Sequence, residues 1–186
     1  MEPEPLPACD PVALRENLGT EYYAVARIVG EFDGRLLTIK SWSVTLSLAA
    51  IGLGFQQQHY ALFGLGAVSA VAFWVVEWVT KRHQMRYYPR MRQIEVDCSG
   101  LNRLTLGEAT LSAPRIDWAW TDAGRKASRM RSWKEPEPLT PDEIVRMLHN
   151  TPLMVHVLLP HVIAAVVGLA LFVTALTTSW LGSMPP

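Results

Sequence analysis

Glu77 is the acidic side chain with the most chemical interest, because it lies inside a long apolar segment. A carboxyl group inside a membrane is costly and is usually paired or turned toward water. Lys81 follows four residues later, which suits a local ion pair on a helix. The functional alternative is a ring of Glu77 carboxylates at the inner mouth of a pore formed by several subunits. The sequence leaves both interpretations open.

Three histidines, His149, His156 and His161, are candidates for metal binding or pH sensing. The spacing of five between His156 and His161 separates them by more than about 100° on a helix, unlike the i,i+4 pair of a helical zinc site. The two cysteines are too few and too far apart to serve as metal ligands. We therefore predict no metal and no cofactor.

Motifs for catalysis are missing from this sequence. It contains no phosphate-binding glycine loop, no HExxH, no nucleophile elbow and no CxxC pair. We therefore predict that the protein is not an enzyme.

Two apolar segments, at about residues 41–60 and 61–80, match the length that a helix needs to cross a bilayer, and Glu77 lies in the second. A short polar break, QQQHY, separates them, so we predict a transmembrane helical hairpin. A third uncharged run, in residues 151–181, gives a third crossing. Pro160 is expected to kink that helix, because proline removes a backbone hydrogen bond.

The basic residues predict the topology. All 17 lysines and arginines lie within Arg15–Lys40 or Lys81–Arg146, whereas the loop at 56–60 and the tail at 179–186 contain none. Because basic residues near short loops stay in the cytoplasm, we predict a multi-pass protein of the bacterial inner membrane. Its N-terminus is cytoplasmic and its C-terminus is outside.

The segment before the first crossing predicts a long amphipathic helix. Asp10 and Pro11 form a helix start. Apolar residues then recur three and four apart, as in a coiled coil, at Tyr22, Val25, Val29, Phe32, Leu36 and Ile39. This stripe packs either on the protein's own second long helix or on another subunit, and no turn signal separates it from the first crossing.

The remaining segments predict the domain organisation. Residues 1–9 form a flexible tail, 10–98 the amphipathic helix and the hairpin, and 99–139 an irregular basic segment with a short strand or two around Leu104–Leu111. A capping box at Thr140 and Glu143 begins a short interfacial helix at 140–150. Residues 182–186 form an outer tail.

Several exposed groups are predicted to bind lipids or proteins. Lipid head groups are the expected ligands of a basic stripe formed by Lys81, Arg82, Arg86 and Arg90. An aromatic patch with Arg115, Trp118 and Trp120 is the candidate docking site for a cytoplasmic protein partner. The basic stripe is short and borders the membrane, so we predict no binding of nucleic acid.

Three segments carry a resemblance to known membrane proteins: FDGRLLTIKSWSVTLSLA, FWVVEWVTKRHQMRYYPR and LLPHVIAAVVG. They resemble an uncharacterised family of small bacterial three-crossing membrane proteins, which implies an inner-membrane location and no catalytic activity. The order of an amphipathic helix, two crossings and a cytoplasmic helix also looks like the SLATT-type membrane effectors, which implies a pore. The third crossing departs from that two-crossing pattern.

These observations predict an all-α integral membrane protein with a long helical hairpin and a third transmembrane helix. Three crossings cannot easily enclose a polar path alone, so we predict a homo-oligomer. The leading hypothesis is a channel or pore-like protein lined by Ser43, Ser47, Gln57 and Glu77. The alternative is a membrane-anchored interaction or scaffold protein with a cytoplasmic docking region.

Overall fold

The structure is a computed structural model that describes residues 10–106, 109–125 and 136–178. Its elements are α1 (Pro11–Gln57), α2 (Ala61–Met85), α3 (Tyr88–Leu101), β1 (Leu104–Leu106), β2 (Ala109–Leu111), α4 (Ile116–Arg125), α5 (Pro141–His149) and α6 (Val155–Thr177). A 3-10 turn at Thr151–Leu153 precedes α6. The two predicted tails, and residues 107–108 and 126–135 of the predicted irregular basic segment, lie outside the described residues.

Three helical stretches are long and apolar enough to cross a membrane: Pro11–Gln57, Ala61–Leu101 and Val155–Thr177. This confirms the prediction of a mainly α-helical fold with three candidate crossings. The first helix is continuous from Pro11, as predicted, and the Asp10 carboxylate accepts a hydrogen bond of 2.9 Å from the Val12 amide. It ends before Gln58, whose φ of 57° turns the chain into α2.

The second predicted long helix is divided in two. From the sequence, the second crossing is expected to continue as one helix from Lys81 to Val96, with Pro89 as its one breaker, whereas α2 ends at Met85 and α3 begins at Tyr88. Proline has no amide hydrogen, and its ring collides with the carbonyl four residues earlier. Pro89 therefore occupies the first turn of a new helix, where neither property matters.

The described residues group into two compact units. The strand-containing unit comprises residues 10–30, 85–106, 109–125 and 136–144. The membrane unit comprises residues 31–84 and 145–178.

In the strand-containing unit, the first part of α1 packs on α3. Its buried core consists of Leu18, Tyr22, Val25, Val29, Met91, Ile94 and Cys98. Tyr22, Val25 and Val29 of the predicted coiled-coil stripe therefore pack within this unit, and Leu36 of the same stripe is buried in the membrane unit. The predicted strand region is a two-stranded antiparallel hairpin in which Leu104 pairs with Leu111.

Helix α4 differs from the prediction of an irregular segment at 99–139. It is a ten-residue helix whose first turn contains Asp117. The capping box of α5 agrees with the sequence, because the Glu143 amide donates to Thr140 Oγ1 (3.3 Å) and the Thr140 amide donates to Glu143 Oε2 (3.0 Å).

In the membrane unit, α6 and α2 approach closely at Gly168. A Cβ atom added there would lie 2.8 Å from the carbonyl oxygen of Phe63 and 3.0 Å from the amide nitrogen of Ala67. Hydrogen fits where a methyl group does not, so glycine permits this backbone contact.

Candidate functional site: a buried polar network in the membrane unit

Glu77 and His161 form the centre of a polar network between α2 and α6. His161 Nε2 lies 2.8 Å from Glu77 Oε2, and both residues are buried, with 1% and 0% of their surface exposed. A carboxylate accepts hydrogen bonds and does not donate them, so a contact between His161 and an ionised Glu77 requires the proton on Nε2.

Lys40, from α1, neutralises the same carboxylate. Its Nζ atom lies 3.1 Å from Glu77 Oε1, and its side chain is 24% exposed. The predicted local pair of Glu77 with Lys81 is replaced by this contact between helices. Lys81 Nζ instead donates to Gln84 Oε1 (2.6 Å), and Gln84 Nε2 donates to Asp33 Oδ1 (2.7 Å).

Ser43, also from α1, completes the network on the other side of the imidazole. Its Oγ atom lies 2.8 Å from His161 Nδ1, and Ser43 is 1% exposed. With the proton of a neutral imidazole on Nε2, Nδ1 accepts the serine hydroxyl hydrogen. The network formed by Lys40, Ser43, Glu77 and His161 therefore links all three candidate membrane helices.

This arrangement can hold one additional proton without losing its heavy-atom contacts. A proton on Nδ1 would turn that nitrogen into a donor, and Ser43 Oγ could then accept after its hydroxyl rotates. The charge of the four residues would change from zero to plus one in a buried site. Such a change is expensive unless helix packing adjusts to it.

The same order of serine, histidine and carboxylate also occurs in nucleophilic enzymes. Here Ser43 is sealed inside the bundle, so its Oγ atom has no room for an acyl substrate. Lys40 also shares the carboxylate that would orient the histidine. The geometry of these three residues therefore does not suit attack of Ser43 on an acyl substrate.

The network ends toward the turn between α1 and α2. Ser47 Oγ donates to the carbonyl oxygen of Gly66 (3.3 Å), and beyond it the helices are packed by aromatic rings. Phe63 is 1% exposed, and its ring centroid lies 4.8 Å from that of Phe55. The polar groups thus reach about a third of the way along the apolar segment at 41–60.

The four predicted pore residues are only partly brought together. Ser43, Ser47 and Glu77 are buried within one subunit, whereas Gln57 is exposed at the end of α1. Ten residues separate Ser47 from Gln57, which is about 15 Å along a helix. Exposed large side chains on the membrane helices include Val44, Leu48, Val68, Val71, Val75, Ile163 and Val166.

The predicted lipid-binding stripe is also divided. In the membrane unit, Lys81 is buried and Arg82 is exposed. In the strand-containing unit, Arg86 is exposed, while Arg90 forms two hydrogen bonds of 2.6 Å with the carboxylate of Glu21.

The predicted docking residues lie at the start of α4. Trp118 is 8% exposed and packs beneath the guanidinium of Arg92, whose Cζ is 4.8 Å from the ring centroid. Trp120 is 82% exposed, and Arg115 is half-buried. Trp118 is therefore part of the interior, and Trp120 is available at the surface.

A second buried polar cluster holds the N-terminus of α4. Glu95 Oε1 accepts hydrogen bonds from the Tyr22 hydroxyl (2.7 Å) and the Asp117 amide (2.7 Å), and Oε2 accepts one from the Trp118 amide (2.9 Å). The first amides of a helix lack partners within the helix. A carboxylate there also interacts favourably with the helix dipole.

Arg92 links this cluster to the body of α4. Its Nη2 atom lies 2.7 Å from Asp117 Oδ2 and 3.0 Å from Thr121 Oγ1. Burial raises the pKa of Asp117, and the charge and hydrogen bond of Arg92 oppose that rise. The cluster connects α1, α3 and α4, and we assign it a structural role.

Sequence reasoning missed Lys40 as the partner of Glu77 and Ser43 as the partner of His161. The available signal was their common position near the start of the first apolar segment. Within residues 10–106, 109–125 and 136–178, no group of three or more His, Cys, Asp or Glu side chains is arranged to hold a metal ion.

Comparisons with known proteins give no match. No family model, no curated protein and no solved structure matches this chain. The resemblances described above therefore stay predictions, and the function is argued from the site alone.

Proposed function

We propose that this protein is a proton-responsive membrane protein, in which the Glu77–His161 pair binds a proton and changes the packing of three membrane helices. The observation that carries the proposal is the burial of a complete histidine–carboxylate pair between α2 and α6, with partners from α1. Ionisable residues within membrane segments are costly, and they mark proton relays and switches in many membrane proteins.

The network favours a sensor over a proton conductor. Its polar groups extend from Lys40 to Ser47, and the aromatic pair Phe55 and Phe63 occupies the next part of the bundle. A proton that reaches His161 would meet Ser47 and then the aromatic contact of Phe55 with Phe63 in that direction. We therefore expect proton binding without steady proton flux.

We adopt the topology that the basic residues predict, with the N-terminus in the cytoplasm of a bacterial cell. Lys40, which is 24% exposed, then lies at the cytoplasmic end of the network. The proton that the site senses is a cytoplasmic one.

The channel predicted from the sequence stays a separate proposal that requires an oligomer. Its support is weaker, because three of its four lining residues bond within one subunit and the exposed faces of the membrane helices are rich in aliphatic side chains. A pore between subunits would need polar groups on those faces.

The test is a distance measurement on the full chain in liposomes. Val44 and Ile163 both line a groove of about 240 Å³ between α1 and α6, so spin labels at these positions report helix packing. Cys9→Ser and Cys98→Ala remove the natural thiols. We expect the distance between the labels to change between about pH 5 and pH 8, the interval in which imidazole changes charge.

His161→Gln should abolish this change, and His149→Gln is the matched control because His149 is exposed. A distance that is independent of pH in the unsubstituted chain, or a change that survives in His161→Gln, would overturn the proposal. Steady ion flux through the same liposomes would favour the channel instead.

A further inference from the structure

Helix α4 has an unusual distribution of polar and apolar residues. Asp117 is buried and bonds Arg92 on the inner side of the helix, and Thr121 bonds the same guanidinium. Ile116 and Trp120, one turn apart, are 53% and 82% exposed. Asp117 and Thr121 therefore bond toward the interior together with the buried Trp118, whereas Ile116 and Trp120 face outward.

We propose that this outward face, formed by Ile116, Ala119 and Trp120, binds the surface of an anionic lipid bilayer. Residues three and four apart lie on one side of a helix, so the three side chains form a single edge. A tryptophan ring suits the boundary between head groups and acyl chains, because it has a large apolar body and one polar N–H group.

Charge favours a bilayer as the occupant. After Trp120 and the short segment Thr121–Ala123, which contains the acidic Asp122, the sequence Gly124–Lys134 contains five basic residues and no acidic one. Basic residues beside an anionic bilayer strengthen binding by about fivefold each. An anionic bilayer therefore suits both parts, because its interior accepts the apolar face and its acidic head groups attract the basic sequence that follows.

The size of the face argues against a protein partner. One exposed tryptophan and one isoleucine provide only a few hundred Å² of contact. A stable protein interface buries roughly 800 Å² on each partner. A bilayer needs no such area, because the candidate membrane helices already keep the chain beside lipid. This inference does not depend on proton binding at His161.

The experiment uses the full chain, with Cys9→Ser and Cys98→Ala, in liposomes whose acyl chains carry bromine as a fluorescence quencher. Trp120→Cys carries an environment-sensitive fluorophore. Gln93→Cys is the matched control, because Gln93 is exposed on α3 of the same unit. We expect quenching at position 120 and none at position 93. The quenching should be stronger in anionic than in zwitterionic liposomes, and it should decrease as salt screens the charges.

Three results would overturn the inference: no quenching at position 120, equal quenching at both positions, or protection of position 120 that depends on protein density rather than on lipid. The last result would indicate a second copy of the chain. A label-free measurement covers the case in which the cysteine variants do not fold. Trp120→Phe should then reduce the lipid-quenchable tryptophan emission of the otherwise natural chain, and an unchanged value would also overturn the inference.

Discussion

His161 Nε2 and Glu77 Oε2 lie 2.8 Å apart, although 84 positions separate the two residues in the chain. Only the packing of α6 on α2 brings them together. The same carboxylate meets Lys40 at 3.1 Å, so a single acidic group unites three helices. This contact is the basis of the first prediction.

Glu77→Ala should destabilise the protein strongly, because it leaves Lys40 without its counter-ion and His161 without its acceptor. Removal of one partner from a buried ion pair costs about 3–5 kcal/mol. The double variant Lys40→Met/Glu77→Leu should recover much of this loss, since it removes both charges. Unfolding in mixed detergent measures the free energies. Glu31→Ala, on the exposed side of α1, is the control. An equal loss of unfolding free energy in Glu77→Ala and Glu31→Ala would contradict the prediction.

Gly168→Ala should destabilise the packing of α6 on α2. The added methyl group would lie 2.8 Å from the Phe63 carbonyl oxygen, so the backbones must separate. Overpacking of this kind costs about 1–3 kcal/mol. Gly52→Ala is the matched control, because a Cβ atom there meets nothing within 4 Å. Thermal unfolding in detergent measures the stability of Gly168→Ala and Gly52→Ala. Equal stability of the two variants would show that the helices do not meet at Gly168.

Tyr22→Phe should loosen the start of α4. The Tyr22 hydroxyl donates to Glu95 and accepts from the amides of Ile116 (3.1 Å) and Asp117 (3.2 Å). Loss of a buried partner costs about 1–3 kcal/mol. Hydrogen exchange at the Ile116 and Asp117 amides should accelerate in Tyr22→Phe. Tyr23, the neighbouring residue, is exposed, so Tyr23→Phe is the control, and we expect no change in the exchange of these amides.

Asp117→Asn should flatten the pH dependence of stability. Burial raises the pKa of Asp117 in the folded protein, despite the opposing charge of Arg92. The favourable contribution of Asp117 to the free energy of unfolding is therefore fully present when the pH lies below the usual pKa of aspartate, about 4. It declines as the pH rises through the folded pKa, because the unfolded chain releases this proton more readily. Unfolding free energies measured from acidic to neutral pH test this, with Asp97→Asn as the control.

Local signals in the sequence predicted where two of the helices begin. Asp10 with Pro11, and Thr140 with Glu143, are capping patterns that act through neighbouring residues, and the structure contains both. The apolar segments were equally clear, since length and hydropathy alone identify a candidate crossing. These features depend on a few adjacent residues, which explains their predictability.

Helix α4 and the partner of Glu77 could not be predicted in this way. The N-terminus of α4 is held by Tyr22 and Glu95, which are more than 20 residues away in sequence. Similarly, Lys81 is the nearest cation to Glu77 in sequence, but bundle packing selects Lys40. A single sequence contains no local pattern for either contact.

The caps of α4 also have a consequence for biosynthesis. A helix of ten residues is unstable alone in water, so α4 must wait for Tyr22 and Glu95 to meet. Those residues flank both segments of the predicted hairpin, and they meet only after the ribosome has completed that part of the chain. Formation of α4 therefore depends on the helices that bring Tyr22 and Glu95 together, and a completed chain in which that hairpin is disrupted should expose Ile116–Arg125 to proteolysis.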